Sequence, residues 1–298
     1  MLDLFLQQTL NAVALGGTYA LLALGLAVVF SVMGLINFAH GELMTITGYV
    51  LMGCGVAGLP FPITVILALG AAMLAAVAME RIAFRPVRGA SAPTLLVTSF
   101  AVSMILQVVF QNLISTRSQP VLLPSFLSGS VRVGDLVIGN DKLIAIACTV
   151  VLLAFLDRFM RTRRGGIAMR AAAEDFAVTR LMGIRANTVI AGAFALSGLL
   201  AGTAAVLWVS QRSSVDPLMG FVPVLKAFIA AILGGLGSLR GAVLGGFLLG
   251  FIEVYLAAFL PSHWQEFRDP IALSLVVLVL LARPNGLLPA PAALAIKV

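Results

Sequence analysis

Residues 10–33 read LNAVALGGTYALLALGLAVVFSVM, with no charged side chain from one end to the other. A helix needs about 20 such residues to cross a hydrocarbon layer about 30 Å thick. Runs of the same kind recur along the 298-residue chain, which is 61% hydrophobic and 10% charged with a mean hydropathy of +1.10. A soluble domain carries about a quarter charged residues, so lipid rather than water is the main solvent of this chain. Lipid gives backbone groups no partners, which leaves helices or a closed barrel. Long Leu, Ala, Val and Ile runs without alternation exclude the barrel. The expected fold is all-α, a polytopic transmembrane helical bundle forming one domain over residues 1–298.

Working outward from residues 10–33, the apolar runs predict spans at about 42–59, 62–82, 93–114, 142–160, 187–209, 221–236, 241–260 and 270–283. The pieces 42–59 and 221–236 are short and contain glycine, so one or both are re-entrant candidates and the count is eight to ten. Asp3 and the lack of a basic leader argue against a cleavable signal, so the first run is expected to remain as an anchor. Orientation follows from arginine. Arg81, Arg85 and Arg88 lie in one loop, Arg158, Arg161, Arg163, Arg164, Arg170, Arg180 and Arg185 in another, and Arg283 and Lys297 in the tail. These belong on the cytoplasmic side; the other loops hold only Arg117, Arg132, Lys142, Arg212 and Arg268, which puts the N-terminus outside and the C-terminus inside.

That placement also accounts for the net charge of +7 without nucleic acid, since the cations sit in short loops with no interleaved aromatics. Cys54 and Cys148 fall in or beside apolar runs, have no metal-ligand spacing, and read as buried thiols. No cofactor or metal site follows. A phosphate-binding loop needs a lysine followed by Ser or Thr after a glycine-rich turn. The three lysines, Lys142, Lys226 and Lys297, are followed by Leu, Ala and Val, so the chain has no nucleotide site of its own and any ATP is used by another subunit.

Two glycine-bounded breaks echo each other, GLINFAHG at 34–41 and GGLGSLRG at 234–241. Paired breaks in two halves predict an internal repeat whose broken helices approach a translocation path. The competing reading is that glycine is abundant here because small residues let membrane helices pack closely. On the path reading the candidates are Asn37, Phe38, His40, Gly41 and Glu42 at the first break; otherwise these line a surface loop. Gln107, Gln111 and Asn112 recur along one span and either line a path or bond a neighbouring helix. Glu253 lies midway through 241–260, where an ionisable group needs a cavity or a partner, and Lys226 either pairs with it or snorkels. His263, Trp264, Glu266 and Asp269 form a short loop best read as an interfacial anchor.

The loop at 161–186 is the longest charged stretch. Its alanine-rich core predicts a helix over 166–184, with Met169, Ala172, Ala173 and Phe176 on one face and Gly183 as its stop. That face must be buried against the membrane domain, the lipid interface or a partner.

At this point the motifs resemble a known family, the H-type permease subunit of branched-chain amino acid ABC importers. They are LGGTYALLALGL at 15–26, NFAHGE at 37–42, RPVRG at 85–89, Arg170-Ala171 with Ala173-Glu174-Asp175 and LMGI at 181–184, ALSG at 195–198, and RPNGL at 283–287. The resemblance runs from about residue 8 to 288. It implies a multi-pass protein of the bacterial inner membrane working with two cytoplasmic ATPase subunits, a second permease subunit of the M type, and a periplasmic substrate-binding protein. It also implies that the 161–186 loop couples to the ATPase through Arg170, Glu174, Asp175 and Gly183, burying its apolar face in a groove of that partner. Branched-chain or related amino acids would be the cargo. The alternative function is an ion-coupled secondary transporter of small polar solutes, with Glu253 and His40 handling protons. An intramembrane enzyme has no acid pair, Cys/His pair or metal set to work with.

Overall fold

A computed structural model describes residues 2–133 and 136–288; Lys297, counted above for orientation, lies outside them. The chain runs α1 (Leu2–Met33), α2 (His40–Val56), α3 (Phe61–Met79) continued by a π-turn (Glu80–Phe84), and α4 (Ala92–Leu113). Short strands follow, β1 (Gln119–Pro120), β2 (Ser130–Val133) and β3 (Leu136–Gly139), then α5 (Asn140–Thr162), α6 (Arg164–Glu174) and α7 (Phe176–Leu181). The second half comprises α8 (Ala186–Arg212), β4 (Ser214–Val215), α9 (Phe221–Gly234), α10 (Leu239–Phe259), a 3₁₀ turn (Ser262–Phe267) and α11 (Arg268–Ala282).

Among the described residues six helices are long and apolar enough to cross a membrane: Asp3–Met33, Phe61–Phe84, Ala92–Leu113, Asn140–Thr162, Ala186–Arg212 and Leu239–Phe259. The remaining apolar helices α2, α9 and α11 are shorter. A helix apolar on every side belongs in the middle of a bundle, and α1 is that helix. Its best apolar window is 89% buried, against 22% for those of α3, α4 and α5, which turn Ile66, Leu74, Val97 and Leu113 outward. These outward faces fit lipid, which is as apolar as leucine and leaves helices to associate through close packing of small residues. The seam of α1 and α10 shows this directly: a Cβ on Gly246 would run into the backbone of Tyr19 and Ala20, and one on Gly250 into Gly16.

Two expectations need correction. The fold is not purely helical, because β1 pairs antiparallel with β4 and β2 with β3. These strands fall in the loop 115–139 and its facing segment, where backbone groups outside helices pair with each other. Second, the 166–184 helix is broken at Asp175, whose extended backbone ends α6 while its carboxylate accepts the Val178 amide (3.0 Å) and starts α7. Gly183 does end the segment, with φ +81°. The two glycine breaks lie side by side at one end of the bundle: Ile36 and Gly237 border one small cavity, and the Phe38 and Phe228 rings are 5.3 Å apart. Cys54 and Cys148 are half-buried rather than buried, and both are free thiols.

Candidate functional site

The break between α1 and α2 is buried. Phe38 stacks on Phe100 with ring centroids 4.2 Å apart, and its amide donates to Ser99 Oγ (3.2 Å). His40 is fully buried and exchanges a hydrogen bond with Ser197 Oγ through Nδ1 (3.0 Å). Its ring fills the space that a Cβ on Gly25 would take. Gly41 lies against the backbone of Gly220, so neither position has room for a side chain. Glu42, 1% exposed, turns the other way: its Oε1 accepts from Ser103 Oγ and from Gln107 Nε2, each at 2.8 Å. Thus Glu42 and Gln107 meet, while His40 and Glu42 face different helices. Among the described residues, Asn37 Oδ1, His40 Nε2 and Glu42 Oε2 are buried without a hydrogen-bond partner.

Glu253 belongs to a second assembly at the far end of the bundle. It is 7% exposed and takes a hydrogen bond from the Tyr19 hydroxyl (2.9 Å) and an ion pair from Lys226 Nζ (2.8 Å). Of the two options for Lys226, pairing is the one adopted. Lys226 also reaches Asp269 (3.4 Å), and Arg268 lies 3.7 Å from the same carboxylate. Asp269 is therefore part of a charge network and not simply of an interfacial anchor; Trp264 and Phe267 beside it are half-exposed. These charges line a cavity of about 520 Å³. His40 and Glu253, the proton-handling pair of the alternative function, are not brought together.

The third assembly is the α6–α7 elbow. Met169 and Ala172 are buried, and Gly166 packs on the Phe159–Met160 backbone of α5, while the Met169 methyl sits against Gly192 of α8. The apolar face predicted to need a partner is thus largely closed by the chain itself. What remains exposed is a different set on and just after α7: Val178, Leu181 and Met182, the last two more than three-quarters exposed. Arg170, Glu174, Asp175 and Gly183 are all exposed on this elbow.

Several participants escaped sequence reading. Ser103 looks like an ordinary span residue, since hydroxyls are common inside membrane helices, while Tyr19 and Ser197 were read only as members of the motifs at 15–26 and 195–198. Glu80 left a signal, an acid inside a predicted span, next to Arg81 and eight residues before Arg88. It is 2% exposed, ion-paired to Arg88, and held at the π-turn that ends α3; Arg88 also donates to Asn187 Oδ1 on α8 (2.6 Å). A π-turn of this kind often marks a functional position.

Comparison with known proteins supplies the context for these assemblies. The family described as branched-chain amino acid transport system / permease component matches residues 8–282. The high-affinity branched-chain amino acid transport system permease protein BraD of Pseudomonas aeruginosa is 36% identical over 299 residues, covering 96% of each chain. The corresponding protein LivH of Escherichia coli K12 is 36% identical over 303 residues, again covering 96% of each. A probable branched-chain amino acid transport permease protein LivH of Methanocaldococcus jannaschii is 28% identical over 93% of this chain and 90% of its own.

Proposed function

The chain belongs to the branched-chain amino acid transport permease family, and from that premise we propose that it is the membrane subunit of an ABC importer for branched-chain or related amino acids. In this reading it sits in the bacterial inner membrane as one domain, N-terminus periplasmic and C-terminus cytoplasmic, by the arginine bias of its loops. Nine spans satisfy that bias if the short helices α2, α9 and α11 also cross. The packing of α1 along α10 and of α3 along α8 supports an inverted pair of units, α1–α3 and α8–α10. ATP is used by two partner ATPases, since the lysines of this chain offer no phosphate loop. A second permease subunit of the M type and a periplasmic binding protein complete the assembly.

The observation that carries the reading is the elbow. Its α6 arm is locked into α5 and α8, so it moves with the bundle, while Leu181 and Met182 stand exposed among arginines. Exposed apolar side chains on a charged surface mark a protein contact, and a rigid arm behind them transmits a push from an ATPase to the spans. Arg170, Glu174, Asp175 and Gly183 shape and orient this contact. The test is Leu181→Asp with Met182→Asp, expected to cut ATP-driven amino-acid uptake at least tenfold and to weaken co-purification of the ATPase. Uptake and co-purification at wild-type levels would refute the coupling role.

A further inference from the structure

The cavity at the end opposite the elbow is lined by both signs of charge in equal number, Arg212, Lys226 and Arg268 against Asp216, Glu253 and Asp269. Most of this charge is already spent. Lys226 answers Glu253 and Asp269, and Arg268 answers Asp269. Two opposite charges are left over. Among the described residues, no carboxylate lies within ion-pair distance of Arg212, whose guanidinium rests 4.0 Å over the Trp208 ring. Asp216 has no cation partner there either; its Oδ1 accepts the Leu218 amide (3.0 Å), which leaves its other oxygen open.

These two are held, not merely adjacent. α8 stops at Ser213, the one non-glycine residue with positive φ (53°) among the described residues, a conformation that persists only when its surroundings enforce it. Here β4 enforces it by pairing with β1, and Val121 N donates to Ser213 O (2.9 Å). The reversal puts Asp216 on the cavity wall that Arg212 already faces. The volume, about 520 Å³, lies in the range of small-molecule sites, about 300–1,000 Å³. The same wall also carries apolar side chains, among them Leu218 and Val222, both about half-exposed.

We propose that this cavity is a zwitterion site: the α-carboxylate of an amino acid binds Arg212, its α-ammonium binds Asp216, and its side chain lies on Leu218 and Val222. A guanidinium stacked on an indole is pre-oriented for two-point contact with a carboxylate, which lowers the ordering cost of binding. The Lys226–Glu253–Tyr19 group forms the inner wall, and because it is already neutralised it does not compete for either end of the ligand. This site rests on the importer reading and extends it, since that reading leaves open whether the permease itself recognises its cargo.

The experiment uses the importer purified through this chain, in nanodiscs and without binding protein, with radiolabelled L-leucine as probe. Leucinamide, which lacks the carboxylate, and 4-methylpentanoate, which lacks the ammonium, are the competitors. Saturable leucine binding is expected, with each competitor at least tenfold weaker than unlabelled leucine. Arg212→Gln is expected to weaken leucine at least tenfold and leave leucinamide unchanged; Asp216→Asn should weaken leucine and leave 4-methylpentanoate unchanged. Competitors as good as leucine, or variants that bind leucine like wild type, overturn the site, and the competitor arm stands even if a variant fails to fold. ATP-driven uptake by the complete wild-type system without leucine binding overturns the site alone. Absence of both overturns the importer reading and the site with it.

Discussion

Glu42 and Glu253 are both acids inside apolar helices, buried to 1% and 7% exposure, and the fold handles them in opposite ways. Glu253 meets a cation and a phenol at the edge of a charged cavity. Glu42 accepts from the Ser103 hydroxyl and the Gln107 amide of α4, with no cation in ion-pair range among the described residues. Charge inside a membrane protein is costly unless it is paired or hydrated. The difference teaches that one acid is tied to a specific opposite charge, whereas the other is tied to a geometry of donors that a neutral group of similar shape also satisfies.

The largest effect should come from breaking the charged pair on one side only. Lys226→Met leaves Glu253 buried with Tyr19 alone, and removing one partner of a buried ion pair costs about 3–5 kcal/mol. Because Lys226 and Glu253 side chains retain 18% and 9% exposure, the lower end of that range is expected. The thermal unfolding midpoint of the purified protein should fall accordingly. Lys226→Met with Glu253→Met should recover most of the loss, since an apolar replacement of the whole pair is often neutral. A double variant no better than the single would show that the pair is not the unit that matters.

That contrast also marks how far sequence carries. Both acids stand out in apolar runs, and so does Lys226, because charge in a span is rare; pairing Glu253 with Lys226 was one of two readings the sequence left open. The helices were legible for the same reason, their apolar length, with α1 beginning eight residues before the predicted span. What was not legible depends on partners far away in sequence. Ser103 is one hydroxyl among many until α4 is laid against α2. The Gln119↔Val215 register joins segments nearly a hundred residues apart. The break at Asp175 was hidden because high helix propensity on both sides outvoted a single side chain that caps its own neighbour.

Tyr19→Phe removes the second partner of Glu253 while leaving the ion pair in place. A hydrogen bond to a charged group contributes about 1.5–3 kcal/mol, and the lower figure applies here because Lys226 still compensates the carboxylate. The same substitution in the Lys226→Met background should cost more than in wild type, since Tyr19 is then the last donor. Equal costs in the two backgrounds, read as unfolding midpoints, would mean that Tyr19 and Lys226 act independently on Glu253.

The smallest effect tests the other acid. Glu42→Gln keeps an oxygen where Ser103 and Gln107 donate, and it places an amide where Oε2 has no protein hydrogen-bond partner. The loss should stay below about 1 kcal/mol, the value of a typical net hydrogen bond. Glu42→Ala, which takes the acceptor from Ser103 Oγ and leaves Gln107 Nε2 with Ser103 Oγ alone, should exceed it because unsatisfied buried groups cost about 1–3 kcal/mol. Glu253→Gln has no such tolerance, because it sets a neutral group against Lys226. The two Gln substitutions made side by side therefore separate the acids: a large drop for residue 253 and a small one for residue 42. Equal drops would mean that Glu42 needs its charge, and a cation supplied from outside this chain would then have to lie against the α2–α4 seam.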